Sequence, residues 1–411
     1  MGPFAATAPC TRARHSLRGD TVKPILHACI AAVLAVATTS GIARADEIKV
    51  GVIVPASGPF ATYGKQFSEA IAAYQEINGT TVGDHTIEFI YRDSGGPNPD
   101  QARALAQELI IREQVDYLGG FVFTPNALAV AQLIEQSQTP TVIFNAATSI
   151  ITEESDFFVR PSFTLWQVSA PMAEWALANG ITTVVTAVSD YGPGIDAETG
   201  FTAAFEAGGG TIADSIRMPL ATTDFAPFMQ RVRDEAPDAV FAFLPVGPTT
   251  FGFVKAYNEN DLRGAGIEFL GTGETDETTL EALGDAALGL TTAYHYSSAH
   301  ESPENALFLS TLARLYPDAV ANFASVQAYD GAHVIYEMVR AAGTDGPAAI
   351  EAVKGMSWMS PRGPVTIDPD TRHVTQNVYI RVVDKDEAGN LINREFETVE
   401  QVPDLGLVND Y

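Results

Sequence analysis

Residues 93–97 read Asp-Ser-Gly-Gly-Pro, a run in which a serine could act as the nucleophile that attacks a peptide bond. Such a serine needs a histidine to take its proton and an acid to orient that histidine, all within hydrogen-bond reach. The nearest preceding histidine is His85, at the start of the apolar-polar run "HTIEFIYRD" that leads into Ser94. One strand-turn unit cannot fold its two ends into a nucleophile–base pair. Gly95-Gly96 turns the chain, and Asn98-Pro99 supplies a helix N-cap and a first-turn proline. DSGGP therefore reads as a loop. Other reactive patterns are missing as well. The chain has no GxxxxGK[ST] or GxGxxG run for phosphates, no HExxH and no GxSxG elbow. Beyond residue 45 the histidines are His85, His295, His300, His333 and His373. Only His295 and His300 are close, and zinc there would need carboxylates from afar. His300 and Glu301, in "SSAHESPEN", read as solvated surface. The expectation is a protein that is not an enzyme and carries no metal or cofactor.

The remaining chemistry is that of holding a ligand. Ser57 and Tyr63 lie in "ASGPFATYG", and Phe121, Phe123 and Thr124 in "GGFVFTPN". Asn145, Ala146, Ala147 and Thr148 lie in "FNAATSI". Later come Tyr191 in "SDYGPG", Phe243, Pro245 and Val246 in "FLPVGP", and Glu274, Thr275 and Asp276 in "GTGETDE". Hydroxyls and backbone N–H groups at helix starts suit a carboxylate. Aromatic rings suit an apolar or planar body. Singly, Phe121 and Phe243 read as core and Thr124 as an N-cap; the combination is what points to a binding site.

These loops sit where strands end. Strand-like "IKVGVIVPA" precedes a helix through "FSEAIAAYQEI", and the alternation continues through "HTIEFIYRD", "DQARALAQELIIRE", "VDYLGG", "PNALAVAQLIEQ" and "TPTVIFNA". It restarts after about residue 165 with "LWQVSAPMAEWALANG" and "TTVVTAVS" and runs to "GIEFLGT". Strands alternating with helices of ten or more residues imply parallel sheets covered by helices. The expected fold class is α/β, with two doubly wound parallel-sheet lobes. The tail differs, with helices through "NALFLSTLARLY" and "VQAYDGAHVIYEMVRAA" and then strand-like "GPVTID" and "QNVYIRVVD". That course returns the chain to the first lobe and then to the second, so three crossings form a hinge. The expected division is 46–163 with 296–360 in lobe 1, and 164–295 with 361–411 in lobe 2.

Composition narrows the setting. Arg12, Arg14, Arg18 and Lys23 precede the apolar run "ILHACIAAVLAVATTSG", and Ala43-Arg44-Ala45 follows. Basic region, short apolar core and A-x-A site read as a signal peptide over residues 1–45, cleaved after Ala45. The run is shorter than the roughly 20 residues a membrane-spanning helix needs. Both cysteines, Cys10 and Cys29, lie in that leader, so the mature chain is read without a disulfide. Of the 24 basic and 51 acidic residues the leader holds five and one, which leaves 19 against 50, a net charge of −31 over 366 residues. Such a balance argues against nucleic acid or an anionic membrane surface as partner.

From about Glu47 to Glu400 the chain resembles the periplasmic solute-binding proteins of the leucine/isoleucine/valine-binding type, which serve ABC importers. The likeness is carried by "IKVGVIVPASGPFATYG", "NPDQA", "FNAATS", "SDYGPG", "PDAVFAFL", "GDAALGL" and "SPRGPVTID". It implies the type I periplasmic binding fold, two lobes that close on a small carboxylate-bearing solute, a permease partner in the inner membrane, and a monomer in the periplasm. The family's carboxylate contacts carry over to Thr124, Ala146 and Thr148, and its aromatic contacts to Tyr63 and Tyr191. Ser57, Phe123, Val246 and Glu274 complete the expected ligand set. Two positions depart from the family. A second tyrosine after "PDAVFAFL" is replaced by Pro245 and Val246, and the acid for an α-ammonium group aligns on Gly273 or Glu274. "VFAFLPVG", "GTGETDE" and "SPRGPVTID" look more like the aromatic-compound branch. An aromatic carboxylate and a branched-chain amino acid both stay open, the former favoured. The alternatives are the ligand-binding subunit of a sensory system and, less favoured, an exported enzyme.

Overall fold

The computed structural model describes residues 46–407. The signal peptide expected at 1–45, its cleavage after Ala45, Cys10, Cys29 and the last four residues of lobe 2 lie outside the described residues. The first sheet is built from β1 (Asp46–Val54), β2 (Thr81–Val82), β3 (His85–Asp93), β4 (Tyr117–Gly120), β5 (Thr141–Ile143) and β6 (Phe158–Val159). Its order is β2-β3-β1-β4-β5-β6, and only the β2–β3 pair is antiparallel. The second sheet holds β7 (Thr183–Ser189), β8 (Thr211–Met218), β9 (Ala239–Phe243), β10 (Glu268–Gly271) and β11 (Thr291–Tyr294). To these it adds β12 (Ser357–Ser360), β13 (Gly363–Ile367), β14 (Val374–Lys385) and β15 (Leu391–Val402). The order β12-β13-β14-β11-β10-β9-β7-β8, with β15 on β14, makes a parallel centre and an antiparallel flank.

The central strands are apolar throughout because helices cover them: β9 is buried at every position, and β1 from Val50 onward. The helices are α1 (Thr62–Asn78), α2 (Pro99–Gln107), α3 (Thr124–Ser137), α4 (Leu165–Ala178), α5 (Gly192–Ala207), α6 (Ala226–Glu235), α7 (Pro248–Glu259), α8 (Glu277–Leu283), α9 (Pro303–Leu315), α10 (Phe323–Ala342) and α11 (Gly346–Val353). Their starts are set by local chemistry. Asn98 accepts from the Gln101 N–H at 3.1 Å to cap α2, and Thr164 with Gln167 forms a capping box on α4.

Helices α9 and α10 pack on α1, and α10 also covers β4 and β5, so this late helical pair belongs with the first sheet. The chain therefore crosses between the sheets three times: after β6, after β11 and after α11. The strand Ser357–Ser360, expected with the first lobe, pairs with β13 in the second sheet, because its backbone groups find their partners there. β15 follows β14 after a turn and adds a long antiparallel partner that the strand-helix alternation did not reveal.

A buried ion pair gathers the crossings. Arg362 Nε donates to Asp330 Oδ2 on α10 at 2.8 Å, and its Nη1 donates to the Ser162 carbonyl at 2.6 Å. Gln376 Nε2 donates to the same Ser162 carbonyl at 3.0 Å, and Ser302 Oγ donates to the Pro361 carbonyl at 3.4 Å.

DSGGP is a loop. Asp93 accepts the backbone N–H groups of Ala56 and Gly95 at 2.7 and 2.8 Å, and Ser94 is buried. Gly95 and Gly96 take φ of 68° and 145°, the left-handed region that favours glycine. His85 stands at the other end of the nine-residue β3, a separation of roughly 30 Å at ~3.3 Å per residue.

Candidate functional site

Between the two sheets, beyond the carboxyl ends of their strands, lies a small cavity that is partly open to solvent. This is where open α/β sheets bind ligands. From the first lobe, Tyr63 enters from the first turn of α1, Val122 and Phe123 from the end of β4, and Asn145 and Ala147 from the loop after β5. From the second, Tyr191 and Pro193 open α5, Phe243 ends β9 and Leu244 to Val246 follow it, and Gly273 follows β10. Phe163, Leu165, Tyr294 and Phe323 complete the wall from the crossings and the start of α10.

The rings form a connected frame. Tyr63 meets Phe323 edge-on at 6.1 Å, Phe323 meets Tyr294 at 5.4 Å, and Tyr294 meets Phe163 at 5.4 Å. Tyr191 and Phe243 lie nearly parallel at 6.3 Å. Edge-to-face contacts of this kind add stability beyond the buried area. Burial raises the hydroxyl pKa of Tyr63, Tyr191 and Tyr294, which keeps all three neutral. All sixteen lining residues are of types uncharged at neutral pH.

Of the expected ligand residues, Tyr63, Phe123, Tyr191 and Val246 line the cavity. Thr124 and Thr148 are buried beside it with their hydroxyls 3.0 Å apart. Above them is Gly192 at the start of α5, where an added Cβ would lie 3.1 Å from Thr148 Oγ1. Ala146 is fully buried behind the wall; its carbonyl accepts from Arg160 Nη1 at 3.0 Å. Ser57 is exposed and its hydroxyl bonds Asp93, so it stands outside the cavity wall.

Glu274 also lies behind the wall. Its Oε1 accepts the Leu244 N–H at 2.9 Å and its Oε2 the Thr272 N–H at 2.5 Å. It fills the space a side chain on Gly271 would need, since an added Cβ there would sit 2.6 Å from Oε2. Burial pushes its carboxyl up to about 7 against the bonds that favour the anion.

The loop of residues 146–149 is shaped from behind by Arg160, which is fully buried. It donates to the carbonyls of Ala146 at 3.0 Å and Thr148 at 2.6 Å. In a planar trans peptide the N–H points opposite to the C=O. The Ala147 N–H therefore faces away from Arg160, and the Ser149 N–H reaches Asp196 Oδ2 at 2.9 Å. Beside the cavity the backbone is strained as well: Phe121, a bulky residue, is held at φ 64°.

Sequence reasoning missed Phe163, Leu165, Tyr294 and Phe323. The signal available was the aromatic run "TTAYHYSS" at a strand end, obscured because β11 is only four residues long.

A family model described as periplasmic binding protein matches residues 47–389. A Leu/Ile/Val-binding protein homolog 6 of Brucella abortus is 52% identical over 369 residues, 89% of this chain and 95% of that protein. A solute-binding protein of an ABC transporter from R. palustris, solved with 4-hydroxybenzoate, is 52% identical, with a TM-score of 0.86, covering 89% of this chain and all of the other. A second such protein, from Rhodopseudomonas palustris BisB5 with 3,4-dihydroxybenzoic acid, is 45% identical with a TM-score of 0.84, covering 88% of this chain and 99% of the other.

Proposed function

The chain belongs to the periplasmic binding protein family, and on that premise we propose that it is the extracytoplasmic solute-binding protein of an ABC importer that captures a small aromatic carboxylate between its lobes. The observation that carries the reading is the uncharged, ring-lined wall. A benzoate-like ring finds apolar surface from Tyr63, Phe163, Tyr294 and Phe323. An amino acid would bring an α-ammonium group, and the acid that could meet it, Glu274, is engaged with two backbone N–H groups. An unpaired buried ammonium is costly. The two solved relatives with benzoic acid derivatives support the same class.

The carboxylate is met by neutral donors: the Thr124 and Thr148 hydroxyls, the Ala147 N–H, and the N-termini of α3 and α5, whose free N–H groups and dipoles favour an anion. Ligand contacts from both lobes stabilise the closed arrangement over the open one, so binding energy becomes a conformational signal for a permease in the inner membrane. The mature protein acts as a monomer in the periplasm after cleavage at Ala45. Titration calorimetry on the chain from Asp46 tests this with benzoate, 4-hydroxybenzoate, leucine and isoleucine. Heat with the aromatic acids alone is the expected result; binding of the aliphatic amino acids alone would overturn the aromatic assignment.

A further inference from the structure

Glu274 joins two loops that both carry cavity wall. Through Leu244 it holds the connection from β9 to α7, which supplies Leu244, Pro245 and Val246; through Thr272 it holds the connection from β10 to α8, which supplies Gly273. Little slack exists between these walls. A Cβ on Gly273 would lie 3.3 Å from the Tyr294 ring and 3.4 Å from Val246 Cγ2, so a small shift of either loop changes the room for a ligand.

We propose that Glu274 is a positioning residue that sets the spacing of these two walls, and that capture of an anionic solute is accompanied by its protonation. The second half rests on the carboxylate reading of the solute given above. An ionised Glu274 behind a wall of neutral residues repels a carboxylate in the cavity, and low-dielectric surroundings transmit that repulsion. The field of Glu274 reaches the wall, since it contributes to raising the hydroxyl pKa of both Tyr191 and Tyr294. The charged and titratable groups around it are Tyr191 on α5, Tyr294 on β11, Asp276 and Glu277 at the start of α8, and Arg381 on β14. Arg381 Nη2 donates to the Thr272 carbonyl at 3.0 Å. Asp276 and Glu277 are themselves held towards protonation by burial, and Arg381 offsets part of this. With its carboxyl pushed up to about 7, Glu274 exchanges its proton close to neutral pH.

Two measurements decide the two halves separately. Amide hydrogen exchange on the ligand-free protein reads positioning: in E274A the Leu244 and Thr272 amides should exchange at least about tenfold faster, while E274Q, with one acceptor left, keeps one of them protected. Unchanged protection overturns the positioning role. If the variants do not fold, the Leu244 and Thr272 amides of the unsubstituted protein should still exchange slowly, and rapid exchange of both overturns it equally. Calorimetry with 4-hydroxybenzoate in two buffers of different ionisation enthalpy reads the proton. The unsubstituted protein should take up a fraction of a proton at pH 7 and lose affinity on the order of tenfold from pH 6 to 8.5, whereas E274Q takes up none and stays level. Equal behaviour of the two proteins overturns the proton linkage. No binding of 4-hydroxybenzoate or benzoate at any pH overturns the proposed function and the linkage with it, while the exchange rates still decide the positioning role.

Discussion

Ser149 donates its backbone N–H to Asp196 at 2.9 Å, and this bond ties the loop after β5, which belongs to the first sheet, to α5 beside the second. Arg160 sits behind the same loop, on the carbonyls of Ala146 and Thr148. The loop read as a carboxylate clamp is thus held from behind by one lobe and tied in front to the other, which is where the proposed binding and closure would meet.

Asp196 gives this tie a pH dependence. Burial raises its carboxyl to about 6, the Ser149 N–H and Arg160 pulling the other way. The folded state therefore holds this proton more tightly than the unfolded chain does. The resulting stabilisation is complete below about pH 4, the ordinary aspartate range, and is lost as pH rises through about 6. Thermal unfolding from pH 4 to 7.5 should show the unsubstituted protein losing stability relative to D196N, and a constant difference between them would count against this account.

Gly192 tests closure by volume alone. A Cβ there would stand 3.1 Å from Thr148 Oγ1 and 3.6 Å from Thr124 Cγ2, contacts that the proposed opening of the lobes would relieve. G192A should weaken 4-hydroxybenzoate binding several-fold and G192V more, with the melting temperature of the ligand-free protein nearly unchanged. Calorimetry paired with thermal unfolding checks both, and equal affinity in G192V would show that closure does not bring these surfaces together.

The Thr124 and Thr148 hydroxyls, 3.0 Å apart, are expected to donate to the solute's carboxylate. Removing a hydrogen bond to a charged group costs about 1.5–3 kcal/mol, on the order of ten- to a hundredfold in affinity. T148V preserves the shape and should show that loss. T124V should behave likewise, and a loss of fold, read by circular dichroism, would separate structural damage from lost binding.

Arg362 and Asp330 form an ion pair with both side chains fully buried at the crossings. Removing one partner leaves an uncompensated charge and costs about 3–5 kcal/mol. Urea unfolding should show that loss in R362A and in D330A, with the double variant less destabilised than the sum of the two. Strict additivity would mean that the partners act independently.

Legibility followed the range of the interaction. The alternation of strands and helices was readable because elements carry their own hydrophobic period and local caps such as Asn98. β15 was not, since nothing local announces a twelve-residue partner for β14. Tyr63, Phe123, Tyr191 and Val246 were readable as cavity wall because they follow strand ends, which converge in any doubly wound sheet. Ser57 follows a strand end too, but its neighbour across β1 and β3 is Asp93, which takes its hydroxyl.

By itself the sequence determined the α/β class, the leader-like first segment as an expectation, the acidic balance and the loops that bear hydroxyls and rings. Those properties depend on composition and short periods, which a chain carries before it folds. Only the tertiary structure decided that Phe163, Tyr294 and Phe323, drawn from three distant segments, share one frame. Only it decided that Glu274 turns back to bind Leu244 and Thr272. A buried carboxylate takes whatever backbone donors the packed loops present, and their positions are set by two sheets and three crossings, not by the residues beside it in the chain.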